Sequence, residues 1–251
     1  MNIFDNIKFI HKSIPMAISI GTFDGVHIAH QKILHQLITE AQTIKGQSLV
    51  ISFYQHPRTI IYPNTNIDLL TSTEEKNALF LKHRIDNILY LNFNEQLANL
   101  SYKDFFLYLQ NHINIKSIIM GYNHNFGKNK EGNIDNLSQI SNNIKIIKIK
   151  QQNSINEAIS SSSIRHKLLN GNIREANQML GRAYSLDVAL TSSTNNPQFE
   201  PIDKNKIVPQ GKDKYYILIN GQEASAQIKE NQIFVTTPFN KANHSNTTFI
   251  S

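Results

Sequence analysis

The chain has 251 residues, of which 40% are hydrophobic and 18% charged, with a formal net charge of +6 and no cysteine. This length supports one large domain or a medium and a small one, and the missing cysteines exclude disulfides, thiolate catalysis and a cysteine-built zinc site. The mild positive charge suits a phosphorylated small molecule at least as well as nucleic acid, for which no recognition motif is present; with no signal peptide and no apolar run near the ~20 residues that span a bilayer, a cytoplasmic protein with no membrane partner is the expectation.

The first strand-like run is Ala17-Ile18-Ser19-Ile20. It leads into Gly-Thr-Phe-Asp-Gly-Val-His-Ile-Ala-His over residues 21–30, and then into an amphipathic segment carrying Ile33, Leu34, Leu37, Ile38, Ala41 and Ile44. The pattern predicts a strand, a tight turn and a helix start. His27 and His30 are three residues apart, on one face of the first helical turn. Free backbone N–H groups and the positive end of the helix dipole favour an anion there. Two histidines at this spacing are also compatible with metal ligation. A hydrolytic zinc helix, however, would need His-Glu-x-x-His, and Ile28 and Ala29 stand between these two.

Further strands are predicted at 49–53, 88–91 and 118–120, with an edge strand at 144–149 interrupted by Lys145 and Lys148. Ser72 with Glu75, and Ser101 with Asp104, are spaced as helix-capping pairs. Alternating strands and helices imply a parallel sheet covered on both faces, with ligands bound beyond the carboxyl ends of the strands. The loops at 21–30, 53–58 and 121–127 all follow strands.

In the second of these loops His56 is a candidate phosphate or ribose contact beside the stiff Pro57 and Arg58, although a single loop histidine is usually unremarkable. In the third, Gly121 and Gly127 allow close backbone approach, Asn123 and Asn125 can hydrogen-bond, and Phe126 can stack or pack. A polar loop with a buried Phe is the equally weighted alternative. Later, Ile159-Ser160-Ser161-Ser162-Ser163-Ile164-Arg165 opens a short helix that Gly171 ends. Its hydroxyls and Arg165 can hold a polyphosphate tail, or be a plain cap with a surface arginine. Beyond residue 183 the pattern changes to short β-like runs at 215–219, 224–228 and 233–237, with Asn220-Gly221 as a hairpin turn and a frayed end from Lys241.

Six motifs in order resemble the bacterial FAD synthetase family, the bifunctional riboflavin kinase/FMN adenylyltransferases. They are the 21–30 segment, His56-Pro57, Leu70-Thr71 through Glu75-Lys76, the Gly121–Gly127 loop, Ile159 through Arg165, and Leu180-Gly181-Arg182-Ala183-Tyr184-Ser185. The resemblance implies an α/β, Rossmann-like HxGH nucleotidylyltransferase sheet over 1–182, followed by a small β-rich module over 183–251. It also implies transfer of AMP from ATP to FMN, with Mg²⁺ held mainly by the substrate phosphates and no protein metal site. On this reading His27, His30 and Arg165 carry catalysis around one triphosphate. Gly21, Thr22, Phe23, Asp24, Gly121, Asn123, Ser161 and Ser162 complete the ATP site, and His56, Pro57, Arg58, Asn125 and Phe126 meet FMN.

The chain departs from the family pattern at Ala29, where the family has Gly, at His124, where it has Phe, and at Asn125, where Arg or Thr is common. It also lacks the kinase motif Pro-Thr-Ala-Asn after Tyr184, and its 69-residue tail looks short for a six-stranded barrel. The expectation is therefore an adenylyltransferase with a degenerate, non-catalytic kinase remnant. The alternatives are a related transferase acting on another phosphate acceptor, or a nucleotide- or flavin-binding regulator without turnover.

Overall fold

The computed structural model describes residues 1–61, 67–140, 143–154, 157–192, 197–236 and 244–250. The chain divides into two compact units, Met1–Ile67 with Thr73–Gln152, and Asp68–Ser72 with Asn153–Ser251. Among the described residues no helix is long and apolar enough to cross a membrane.

The first unit holds strands β1 (Asn2–Phe4), β2 (Pro15–Ile20), β3 (Gln47–Phe53), β4 (Asn87–Leu91), β5 (Asn114–Gly121) and β6 (Lys145–Ile149). Its helices are α1 (Ile28–Thr43), α2 (Pro57–Ile61), α3 (Thr73–Lys82), α4 (Glu95–Ala98), α5 (Tyr102–His112) and α6 (Ile134–Ile140). The strands form one parallel sheet in the order β1-β4-β3-β2-β5-β6. Central strands read as continuous apolar runs because both faces are covered. Met16, Ile18 and Ile20 of β2, with Leu49 and Ile51 of β3, face Phe105, Phe106 and Leu109 of α5. Ala17, Val50, Ile88 and Tyr90 face Leu34, Leu37 and Ala41 of α1 and Phe80 of α3. The predicted edge strand is an edge, while β1, at the opposite edge, is too short to show in the sequence pattern. Helix α5 starts as predicted, with Ser101 accepting from the Asp104 N–H.

The second unit holds α7 (Ser161–Leu169), α8 (Ile173–Leu180) and strands β7 (Tyr184–Ser192), β8 (Gln198–Pro201), β9 (Tyr215–Ile219), β10 (Gln222–Lys229), β11 (Gln232–Val235) and β12 (His244–Phe249). These strands close a barrel in the order β10-β11-β8-β7-β12-β9. The short tail is thus sufficient for six strands, because tight turns save length. Asn220-Gly221 turns at φ 49° and 82°, and Glu230-Asn231 repeats the left-handed pair at 50° and 63°. The frayed end expected from Lys241 is corrected over the described residues: 244–249 pair with β7, and 247–249 also with β9, closing the barrel, while 241–243 lie outside the described residues. Tyr184, Phe199, Tyr215 and Phe249 fill the interior, all at 1% exposure or less.

Helices α7 and α8 group with the barrel rather than with the sheet, so the division falls earlier than residue 182. The side chain of Asn177 on α8 accepts from Tyr184 N–H at 2.7 Å and donates to the Phe249 carbonyl at 2.9 Å, tying the helix to two strands. Segment Asp68–Ser72 joins the same unit through a parallel bridge between Leu69 and Lys206.

Candidate functional site

Strand order locates the site in the first unit. From β2 the chain winds one way through β3 to β4, and then returns to place β5 on β2's other side. The loops after β2 and β5 therefore open a crevice at the switch point. The first leads to α1 and its histidines; the second carries Gly121 to Gly127.

The β2–α1 loop is held in an unusual backbone. Phe23 and Val26 sit at φ 51° and 38°, where bulky residues are disfavoured by about 1–3 kcal/mol. Both are buried, and their packing holds the turn. The Phe23 ring meets Phe80 edge-on at 5.6 Å and His30 at 5.0 Å. Phe23 is thus a core wall behind His30, and any part it plays toward a nucleotide falls to its backbone. The Thr22 carbonyl accepts from Lys76 Nζ at 3.3 Å.

His27 caps α1: its Nδ1 accepts from the His30 N–H at 3.4 Å. The two imidazoles stack, with centroids 3.6 Å apart and planes 15° from parallel. His30 Nδ1 is buried with no hydrogen-bond partner, and so is Nε2 of His124 in the loop after β5. Burial holds His30 well below its usual pKa, and the nearby charges of His27, His124 and Lys76 push it the same way. Burial pushes His124 down to about 4. Lys76 is also lowered by burial, an effect opposed by Asp24. Three imidazoles and an ammonium thus gather at a helix start, and two buried ring nitrogens there lack partners. Such groups cost about 1–3 kcal/mol each when left unsatisfied, and phosphate oxygens would satisfy them. Among the described residues no group of three or more His, Cys, Asp or Glu is placed to hold a metal ion.

The other expected contacts divide. Gly21 ends the strand ahead of the turn, and Asp24 is buried beside the cluster. Gly121, Asn123 and Asn125 belong to the second loop, where Asn125 Nδ2 donates to the Asn123 carbonyl at 3.2 Å. Phe126 is 9% exposed and packs against Phe105, so its ring is committed to the core rather than offered to flavin. The two glycines differ in what surrounds them. A Cβ at Gly127 would come within 2.7 Å of the Tyr102 backbone, so this glycine serves packing, while one at Gly121 would meet only ordinary contacts. His56 and Pro57 lie at the start of α2, where the His56 carbonyl accepts from Thr59. The side chain of Arg58 lies outside the described residues.

Ser161, Ser162 and Arg165 belong to the second unit. The cap of α7 is Ser160, which shares a capping box with Ser163, leaving Ser161 and Ser162 in the first turn. Arg165 Nε donates to the Asp68 carbonyl at 2.6 Å. Sequence reasoning had not assigned Lys76 to the site, although it ends the Leu-Thr-x-x-x-Glu-Lys motif, and it had treated His124 only as a departure from pattern.

Residues 10–163 match the FAD synthetase family. The chain belongs to that family. Among its relatives, the bifunctional riboflavin kinase/FMN adenylyltransferase of Buchnera aphidicola from Acyrthosiphon pisum is 33% identical over 72% of this chain and 58% of its own length. The FAD synthetase of Listeria monocytogenes is 27% identical over 66% of this chain and 69% of its own length. The chain thus spans under two thirds of the bifunctional Buchnera relative. A solved Streptococcus pneumoniae structure, described as a macrolide-efflux protein, superposes with a TM-score of 0.89 over 99% of this chain and 89% of its own, at 20% identity. That likeness shows the fold, a parallel α/β unit followed by an antiparallel barrel.

Proposed function

We propose that this protein transfers AMP from ATP to FMN, giving FAD and pyrophosphate, and has no riboflavin kinase activity. The observation that carries this reading is the stacked His27–His30 pair at the α1 N-terminus, with the buried Nδ1 of His30 lacking a partner. In the proposed reaction an FMN phosphate oxygen attacks the α-phosphorus of ATP in line. The bond to the bridging oxygen of the β-phosphate breaks, and pyrophosphate leaves. No enzyme nucleophile is needed, so catalysis rests on positioning two anions and on stabilising charge that grows on the leaving oxygens. His27, His30 and Lys76 supply donors for that charge, together with the first-turn amides of α1.

Ser161, Ser162, Arg165 and Asn123 are assigned to ATP on the family resemblance, as are His56, Pro57 and Asn125 to FMN. The site fits Mg²⁺ as a companion of the nucleotide: Asp24 is the carboxylate beside the described cluster, and imidazoles and Lys76 suit phosphate oxygens. When bound, Mg²⁺ would offset phosphate charge. The kinase part of the reading is supported by the missing Pro-Thr-Ala-Asn after Tyr184.

Purified protein incubated with Mg-ATP should form FAD from FMN and no FMN from riboflavin. Turnover restricted to other phosphate acceptors would replace FMN as substrate. ATP binding without any product would make the protein a nucleotide-binding regulator, and FMN formed from riboflavin would overturn the loss of kinase activity.

A further inference from the structure

We propose that His124 is a third phosphate-facing imidazole of the site, donating from Nε2 to the same polyphosphate that His30 meets through Nδ1. The proposal rests on the nucleotide reading above and extends it to a residue at which this chain departs from the family's Phe.

The argument is geometric. His124 follows β5, His30 follows β2, and those strands are neighbours at the switch point. A turn places the loop, with the His124 N–H donating to the Gly121 carbonyl at 3.1 Å. Its ring stands beside that of the core residue Phe126, with planes 25° apart and centroids 6.3 Å apart. Its Nε2 is then buried without a hydrogen-bond partner, as is Nδ1 of His30. His124 lies close enough to His30 to lower its pKa, so two unsatisfied ring nitrogens on separate elements stand where one external partner can serve both. A buried water would also satisfy them; the Lys76 ammonium and the free N–H groups at the start of α1 are what favour an anion. His27 and His30 come from α1, Lys76 from α3, and Asp24 from the β2–α1 loop is the opposing carboxylate.

The consequence is proton linkage. Without ligand, burial keeps His124 and His30 neutral near pH 7. A polyphosphate favours their charged forms, so binding takes up protons and strengthens as pH falls. Phe at the same position can pack on the loop but neither donates nor titrates.

The test is calorimetry of full-length protein with ATP, and separately with inorganic tripolyphosphate, in buffers of differing ionisation enthalpy between pH 6 and 8.5. Wild type should take up protons. His124→Phe should take up about half to one fewer, and its affinity gain on acidification should be smaller by about tenfold. His124→Gln, which keeps an uncharged donor, should bind more tightly than His124→Phe and show the same flattened pH dependence. Histidine NMR should show the His124 pKa rising on tripolyphosphate binding. Equal proton uptake and pH dependence in wild type and His124→Phe would overturn the proposal even if FAD is formed. Tripolyphosphate binding with His124-dependent proton uptake, but no FAD from FMN, would sustain it and overturn the adenylyl-transfer reading. Failure of wild type to bind either ligand would overturn both.

Discussion

His27 and His30 are joined in two ways: their rings stack 3.6 Å apart, and His27 Nδ1 accepts the His30 backbone N–H. The first histidine therefore has a structural duty as helix cap, and the proposed reaction gives it a chemical one as donor from its remaining nitrogen. Asparagine can perform the first duty but cannot carry charge. His27→Asn should keep the chemical-denaturation midpoint close to wild type, whereas His27→Ala should lose about 1 kcal/mol. Both should form FAD slowly. A His27→Asn variant with a wild-type rate would reduce His27 to a cap.

His30 offers a cleaner separation, because its ring caps nothing among the described residues. His30→Ala should lower FAD formation by about 100-fold or more, as expected for losing one electrostatic stabiliser. Folding, followed by circular dichroism and thermal melting, should change little or improve, because an unsatisfied buried nitrogen is removed. Undiminished turnover would remove His30 from the mechanism.

The same burial predicts an acid sensitivity. His124 titrates near 6.5 when unfolded and is pushed to about 4 in the folded protein. Above pH 6.5 neither state binds the proton and the full stability is present. As pH falls from 6.5 toward 4, the unfolded chain takes up a proton that the folded protein refuses, so stability is lost. This difference corresponds to about 2 kcal/mol at pH 5. Burial of His30 acts in the same direction. Urea unfolding at pH 7 and pH 5 should show a smaller acid loss for His124→Phe than for wild type. Identical losses would contradict the burial assigned to this ring.

In the second unit, Asn177 joins α8 to both Tyr184 and Phe249. Asn177→Ala would leave a buried N–H and a carbonyl unpaired, and should destabilise that unit by about 2 kcal/mol. Hydrogen exchange should quicken in β7 and β12 and stay unchanged in β2 and β3. Uniform quickening across the chain, or none, would contradict this.

Much of the first unit was legible because buried parallel strands leave unbroken apolar runs such as Leu49-Val50-Ile51, and because Ser101 and Asp104 mark a helix start chemically. Strand β12 was not, since Ser245 and Thr247 are polar residues turned inward, and the pairing that hides them comes from distant β7 and β9. Glu230 concealed the second tight turn, since glutamate is an unusual residue at positive φ. In the site, His27 and His30 could be read from local spacing. Lys76 and His124 could not, because α3 and the loop after β5 reach the cluster only through sheet order. Gly127 and Phe126 show the converse ambiguity: a small residue and an aromatic residue beside a strand end fit packing as well as ligand contact. Here they pack, against the Tyr102 backbone and Phe105.

The most direct test of the central claim is a single-turnover reaction of full-length protein with FMN and ATP labelled at either the α- or the γ-phosphorus. Adenylyl transfer predicts that the α-label appears in FAD and the γ-label in pyrophosphate, with both products slowed together by about 100-fold or more in His30→Ala. γ-Label released as orthophosphate or carried onto a flavin, or no labelled FAD from wild-type protein, would contradict the account.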